Sequence, residues 1–143
     1  MAEIEIDGFE DVNISNFNPL DPGSYTFVIP ERPKKVNDDP DKPYIEVQMK
    51  VVEGPEQQDA DPETGSKSPE GRTMRDRYYL TQASKWRIKK LLVACGIITR
   101  DDKDSPIARG KFDLDIFTGA RFQAKVAIQM NNGKEYRQYD PVA

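Results

Sequence analysis

Hydrophobic and polar residues alternate in five segments of the chain, and this pattern predicts β-strands. The clearest alternation runs over residues 44–51, where apolar side chains fall on one face and polar or aromatic side chains on the other. The apolar positions of this segment are Ile45, Val47, Met49 and Val51. The other predicted strands are 23–29, 72–80, 120–130 and 135–139. Asn131-Asn132-Gly133 joins the last two strands and favours a hairpin turn, because Asn and Gly adopt positive φ at little cost.

The period changes to that of an α-helix after Thr81. Four apolar side chains with the spacing i, i+3, i+4 and i+7 form one stripe, namely Ile88, Leu91, Leu92 and Cys95. Ser84 is an alternative N-cap, and Gly96 stands where a left-handed residue ends many helices. The spacing therefore predicts an amphipathic helix of about a dozen residues that ends before Gly96.

Polar segments rich in proline and glycine separate the predicted elements. Residues 54–71 contain almost no apolar side chains and predict a flexible loop, and residues 99–118 form a second polar connection. Residues 1–20 are acidic, have weak periodicity and lead into Pro22, so they predict an N-terminal arm. The remainder, 21–143, has a length that suits a single domain.

Composition restricts the chemistry that the chain can perform. There is no histidine, so the commonest general base and the commonest transition-metal ligand are both missing. The single cysteine, Cys95, excludes an intrachain disulfide or a site made of several cysteines, and its apolar neighbours predict a buried thiol. We therefore expect a protein without catalytic residues, metal or cofactor.

The net charge of −4 hides a marked division along the chain. Residues 1–21 contain six acidic side chains and no lysine or arginine. Residues 72–90 contain seven lysine or arginine side chains and one acid, Asp76. Local electrostatic fields steer ligands more than the total charge does, so the basic segment is compatible with an anionic partner.

The predicted order of elements is β-β-β-α-β-β. This is the order of the OB fold, a five-stranded barrel whose second and third strands bind oligonucleotides or oligosaccharides. Some five-stranded sandwiches share much of the pattern. We expect a mainly β protein with an OB-like barrel, one amphipathic helix closing an end of it, and long polar loops.

Basic and aromatic residues alternate on the polar faces of these strands and in the neighbouring loops. A binder of single-stranded nucleic acid needs cations for the phosphates and flat rings on which bases stack. The candidate binding residues are Lys34, Lys35, Tyr44, Lys50, Arg75, Arg77, Tyr79, Arg121, Lys125, Lys134, Arg137 and Tyr139. The alternative is an ordinary solvated sheet surface in which charges pair across strands.

Trp86 lies away from the apolar stripe of the predicted helix, beside Lys90 and Val93. Three roles stay open for it: a partly buried contact with the 99–118 connection, a platform for base stacking, and a contact with a second subunit or another protein.

Several short motifs, taken in order, resemble a family of phage single-stranded-DNA-binding proteins formerly catalogued as a domain of unknown function. The resemblance covers roughly residues 19–140. The motifs are Pro22-Gly23-Ser24-Tyr25, Val51-Val52-Glu53-Gly54-Pro55, Gly71-Arg72 leading to Tyr79-Leu80, Trp86-Arg87-Ile88-Lys89-Lys90-Leu91-Leu92 with Cys95-Gly96-Ile97, and Phe117-Thr118-Gly119. It implies an OB-like fold and a role in phage replication or recombination, in the cytoplasm of the bacterial host. It supplies no binding residues.

Two rival functions and some further expectations accompany this interpretation. A phage structural or adaptor protein would use the same sheet to bind proteins, and a carboxylate nuclease would use the abundant Asp and Glu with magnesium. The acidic arm could compete with DNA for the basic groove or recruit a phage or host replication protein. Exposed strand edges would permit a homodimer. No apolar stretch is long enough to cross a bilayer.

Overall fold

A computed structural model describes residues 3–5, 19–61 and 64–143. Within them the chain forms six β-strands and one α-helix, preceded and followed by loops. The elements are β1 (Gly23–Val28), β2 (Lys34–Val36), β3 (Tyr44–Glu53), β4 (Thr73–Tyr79), α1 (Lys85–Ala94), β5 (Arg121–Asn131) and β6 (Lys134–Pro141). A short 3-10 helix, Leu114–Phe117, precedes β5. Most of the predicted N-terminal arm, including residues 6–18, lies outside the described residues.

The strands form one antiparallel sheet. β3 pairs with β4 along one edge, and with β2 and then β1 along the other. β1 continues the sheet to β5, and β5 pairs with β6. The prediction of a mainly β protein is confirmed.

The structure differs from the predicted five-stranded OB-like barrel in two respects. A sixth strand, β2, forms because Lys34–Val36 pairs with the start of β3. The sheet also stays open, because no ladder joins β4 to β6 within the described residues. Pro19, Leu20 and the side chain of Arg137 lie in the space between these two strands, and Arg137 Nε donates to the carbonyl of Leu20 there.

The core lies on one side of the sheet. Alternate side chains of β1, β3 and β5 are buried there, as the period of two predicts, and α1 contributes Ile88, Leu91 and Leu92. Removing these apolar surfaces from water is the main favourable contribution to folding. Cys95, the fourth residue of the predicted stripe, is only partly buried. No helix in the described part of the chain has the length and apolar character needed to cross a membrane.

The predicted turn and helix end are both confirmed. Asn132 and Gly133 have φ of 53° and 76° between β5 and β6, the conformation that a two-residue hairpin loop needs. Gly96 follows the helix with φ of 72°.

The 54–71 segment, predicted to be flexible, is anchored at its start. Gln57 is 3% exposed and accepts a hydrogen bond from the Asp21 backbone N–H. Its amide nitrogen donates to Tyr25 Oη and to the Pro55 carbonyl. Gly54 makes the approach possible, since a Cβ atom at this position would lie 2.3 Å from Tyr25 Cδ2. One buried amide therefore ties this loop to β1, which hydrophobic patterning does not reveal.

Candidate nucleic-acid interface

The outward side chains of β2, β3 and β4 form one continuous surface, here called the tyrosine–arginine face. Strand alternation places every second residue on it, and antiparallel pairing sets Tyr44 opposite Tyr79 and Gln48 opposite Arg75. Its members are Lys34, Tyr44, Glu46, Gln48, Lys50, Arg75, Arg77 and Tyr79. The face therefore collects six of the candidate binding residues from three strands.

Two tyrosines and one arginine lie together at one end of this face, where β3 begins and β4 ends. The rings of Tyr44 and Tyr79 are 5.4 Å apart between centroids and tilted by 55°, and both side chains are partly exposed. The guanidinium carbon of Arg77 lies 4.6 Å from the centroid of the Tyr44 ring, within cation–π distance. The pKa of Arg77 is raised above its ordinary value, first by a side-chain hydrogen bond with Tyr79 and then by Tyr44. This arrangement keeps a cation beside two partly exposed rings.

The tyrosine–arginine face carries a net positive charge but includes one acidic residue. Glu46 lies opposite Arg77 on β4 and opposite Lys34 on β2. Its carboxylate forms an ion pair with Arg75 at 3.4 Å. Cross-strand pairing, the alternative suggested by the sequence, therefore exists at this position, while Arg77, Lys34 and Lys50 form no ion pair with a described carboxylate.

Pairing also reduces the charge of the basic segment 72–90. Arg87 is bound to Asp76 at 3.1 Å, Lys90 to Asp140 at 2.6 Å, and Arg72 lies 3.7 Å from Asp61. These contacts hold elements of the fold together. The local field is consequently weaker than the count of lysines and arginines in the sequence suggests.

The remaining candidates divide between the two sides of the sheet. Arg121, Lys125 and Lys134 point to the same side as the tyrosine–arginine face, but from β5 and β6. Arg121 is the nearest of these along the sheet, because both it and Lys50 are register partners of Val28. Lys35 is paired with buried Ile45 and so lies on the opposite side from Lys34.

Arg137 and Tyr139 are also on the opposite side of the sheet and support the fold. Tyr139 packs edge-on against Phe27 with 6.1 Å between centroids, and burial raises its pKa to about 12. Arg137 donates to the Leu20 carbonyl and pairs with Glu135. Neither residue is part of the tyrosine–arginine face.

A cleft of about 600 Å³ lies between the unpaired edges of β4 and β6. Arg75 belongs to both this β4–β6 cleft and the tyrosine–arginine face, and Tyr136 lines the cleft with half of its surface exposed. Tyr136 was not among the sequence candidates. It alternates with Arg137, so periodicity alone placed the two residues on different faces without showing which face was buried.

Trp86 and Cys95 lie outside the set of candidate binding residues. Trp86 is 59% exposed on α1 and lines a pocket together with Ile107 and Arg109 of the 99–118 connection, so all three of its possible roles stay open. Burial raises the pKa of the Cys95 thiol to about 12. No group of three Cys, Asp or Glu side chains that could hold a metal ion is found in the described part of the chain.

Comparisons with known proteins add no relative. No protein-family model matches the chain, and no curated protein is similar to it. The resemblance to phage single-stranded-DNA-binding proteins therefore stays a prediction.

Proposed function

We propose that this protein binds single-stranded DNA without strong sequence preference and without catalysis, through the tyrosine–arginine face. The observation that carries the proposal is the group formed by Tyr44, Tyr79 and Arg77, with rings 5.4 Å apart and a guanidinium 4.6 Å from one of them. Bases of any sequence stack on aromatic rings, and cations replace the counterions of phosphates. The group offers both interactions on one exposed surface.

The strand pairing supports an OB-like fold for this proposal. If β2 is treated as an insertion in the first long loop, the other five strands occur in OB order, with α1 between the third and the fourth. Their pairing lacks only the closing contact between β4 and β6. β3 and β4 then correspond to the second and third OB strands, the surface that binds oligonucleotides in that fold.

The biological setting of the proposal comes from the sequence motifs alone. They favour a phage protein of DNA replication or recombination that acts in the bacterial cytoplasm and contacts other phage or host proteins. A homodimer is compatible with the free edges of β4 and β6.

The test measures binding of labelled oligo-dT by fluorescence anisotropy at several salt concentrations. Substituting Arg75→Ala and Arg77→Ala together should weaken binding and lower the magnitude of the salt slope by about 1.4, since each phosphate contact to a single strand contributes about 0.7. The matched control is Arg100→Ala with Lys103→Ala, which removes the same charge from exposed residues of another loop. The control should retain the original slope.

Three results would overturn parts of the proposal. Equal slopes for the two double variants, both folded, would remove the tyrosine–arginine face as the site. The absence of any salt-sensitive complex would favour the adaptor function instead. Cleavage of the oligonucleotide on addition of magnesium would contradict the non-catalytic function.

A further inference from the structure

An apolar pocket of about 450 Å³ lies beside Trp86, between α1 and the connection that follows it. Its apolar surface comes from Ile88 and Leu92 of α1 and from Ile98 and Ile107 of the connection. Trp86 stands at its edge and exposes 59% of its surface to solvent. This Trp86 pocket has the size and concave shape of a ligand site.

The outer wall of the Trp86 pocket is held in place by local hydrogen bonds. Ser105 Oγ donates to Asp102 Oδ2 at 2.6 Å, and the Ser105 backbone N–H donates to the same carboxylate at 3.1 Å. Ser105 Oγ also accepts from the Ala108 N–H at 3.1 Å. Because these contacts form within the connection, the wall exists before any ligand arrives, which lowers the entropic cost of binding.

Cations surround the Trp86 pocket. Lys85, Lys89 and Arg109 line it, and no carboxylate in the described part of the chain does. None of the three forms an ion pair with a described acid. Asp102 interacts electrostatically with Lys89, but its carboxylate is engaged by Ser105, and these hydrogen bonds, more than Lys89, hold its pKa below the ordinary range. The pocket therefore combines an apolar interior with a basic rim.

We propose that the Trp86 pocket docks an acidic peptide segment of a partner protein. A bulky apolar side chain of the segment enters between Ile88 and Ile107 and packs on Trp86. Carboxylates on either side of it meet Lys85, Lys89 and Arg109. Tryptophan is prominent among residues that dominate protein interfaces, and complementary charge gives such contacts their specificity and rate.

A peptide fits the Trp86 pocket better than a nucleotide does. Four of the lining side chains are branched aliphatics, and the lining contains a single uncharged polar side chain, Gln82. The polar edge of a base buried there would find few hydrogen-bond partners, at a substantial free-energy cost. A Phe, Leu or Ile side chain carries no such cost.

The Trp86 pocket and the tyrosine–arginine face share no residue. The other side of α1 carries Arg87 and Lys90, which are paired with Asp76 and Asp140 and join the helix to the sheet. DNA and the acidic segment can thus be held at the same time. The inference does not depend on the proposed DNA binding.

The test uses a short fluorescein-labelled peptide made only of Glu, Asp, Phe and Leu, added to the full chain. Binding should raise the peptide's anisotropy and shift the emission of Trp86, the one tryptophan of the sequence. Lys85→Glu should weaken binding about tenfold by charge repulsion, and Trp86→Ala should weaken it at least as much. An acid in the first turn suits the helix dipole, so Lys85→Glu leaves α1 intact.

The matched control is Lys67→Glu, the same charge reversal at an exposed position of the 54–71 loop, which should bind the peptide as the original chain does. A second peptide, with Gln and Asn in place of the acids, should bind far more weakly. Equal binding of the two peptides, or equal loss in Lys67→Glu and Lys85→Glu, would overturn the proposal. Competition between the acidic peptide and oligo-dT would also overturn the proposal if Lys85→Glu abolished it. That result would identify the pocket as a nucleic-acid site.

Discussion

At the scale of single residues, Glu46 is the one acid among the outward side chains of the tyrosine–arginine face. Its carboxylate pairs with Arg75 at 3.4 Å and lies opposite Arg77 and Lys34. A phosphate approaching this surface must compete with Glu46 for the same cations. Glu46 therefore limits the affinity for DNA if the face is the binding site. Removing its charge should then increase that affinity, which can be tested.

Glu46→Gln should strengthen binding of oligo-dT by about threefold to tenfold, because it removes one repulsion and releases Arg75 for a phosphate. Anisotropy titration at low salt measures the change. The control is Glu56→Gln, which removes the same charge from an exposed loop position. An affinity for Glu46→Gln no higher than that of the control would show that DNA does not approach this face.

At the scale of elements, Arg87 joins α1 to the sheet. Its guanidinium lies 4.6 Å over the Tyr78 ring, binds Asp76 at 3.1 Å and donates to the carbonyl of Arg77. Both charged partners are largely buried, so removing one leaves the other in a poor environment. Burial already raises the pKa of Asp76, and Arg87 opposes that rise.

Arg87→Met should lower the free energy of unfolding at neutral pH by about 2 kcal/mol. Without Arg87 the pKa of Asp76 rises further in the folded protein, so that the folded state binds a proton that the unfolded state releases. The loss should therefore be small below the ordinary pKa of an aspartate and should grow as pH rises through the raised value. Denaturant unfolding at several pH values measures this.

Lys90→Met is the matched control for this variant, since it removes a cation of the same helix from the more exposed pair with Asp140. Its cost should stay below about 1 kcal/mol, with little dependence on pH. A similar pH dependence in both variants would contradict the role assigned to Asp76.

At the scale of the whole molecule, the open sheet depends on contacts between distant parts of the chain. Gln57 connects three of them: Asp21 in the segment before β1, β1 itself and the 54–71 loop. The Gln57 side chain is 3% exposed, and its hydrogen bond with the Tyr25 hydroxyl is buried. Gln57 thus anchors this loop next to β1, together with the Gln58 backbone N–H, which donates to the Asp21 carboxylate at 2.7 Å.

Gln57→Ala should lower the free energy of unfolding by about 2 kcal/mol, because it leaves the Asp21 N–H and the Tyr25 hydroxyl without this partner. Thermal or denaturant unfolding measures the change. Gln58→Ala, at the exposed neighbouring position, should have little effect. Equal stabilities of the two variants would contradict the anchoring role of Gln57.

Much of the fold could be predicted from alternation alone. The periods of β3 and β5 placed Val47 and Phe122 in the core and Lys50 and Arg121 on the outside, because strand geometry allows only two faces. Local turn chemistry likewise placed the turn at Asn132 and Gly133. β2 was missed, since three residues next to Pro33 are too few to show a period.

The candidate site could be predicted only where one strand faces the core on one side and solvent on the other. Tyr44, Arg77 and Tyr79 belong to such strands, and the structure brings them together. β6 has aromatic and charged residues on each of its two faces, so its alternation did not show which face is turned towards the core. In the structure Arg137 and Tyr139 lie on the inner side, whereas Tyr136 is exposed. Hydrophobic patterning needs a clear contrast between faces to orient a strand.

The sequence by itself determined the helix and five of the six described strands, their order, the absence of histidine chemistry and the separation of acid from base along the chain. Only the tertiary structure decided which cations remain unpaired, because Arg87, Lys90 and Arg72 find their carboxylates on distant elements. It also decided that the sheet stays open between β4 and β6 and that the Trp86 pocket exists. Alternation and turn preferences are local properties, whereas ion pairing, closure and concavity depend on which segments meet, and one-dimensional patterns do not contain that information.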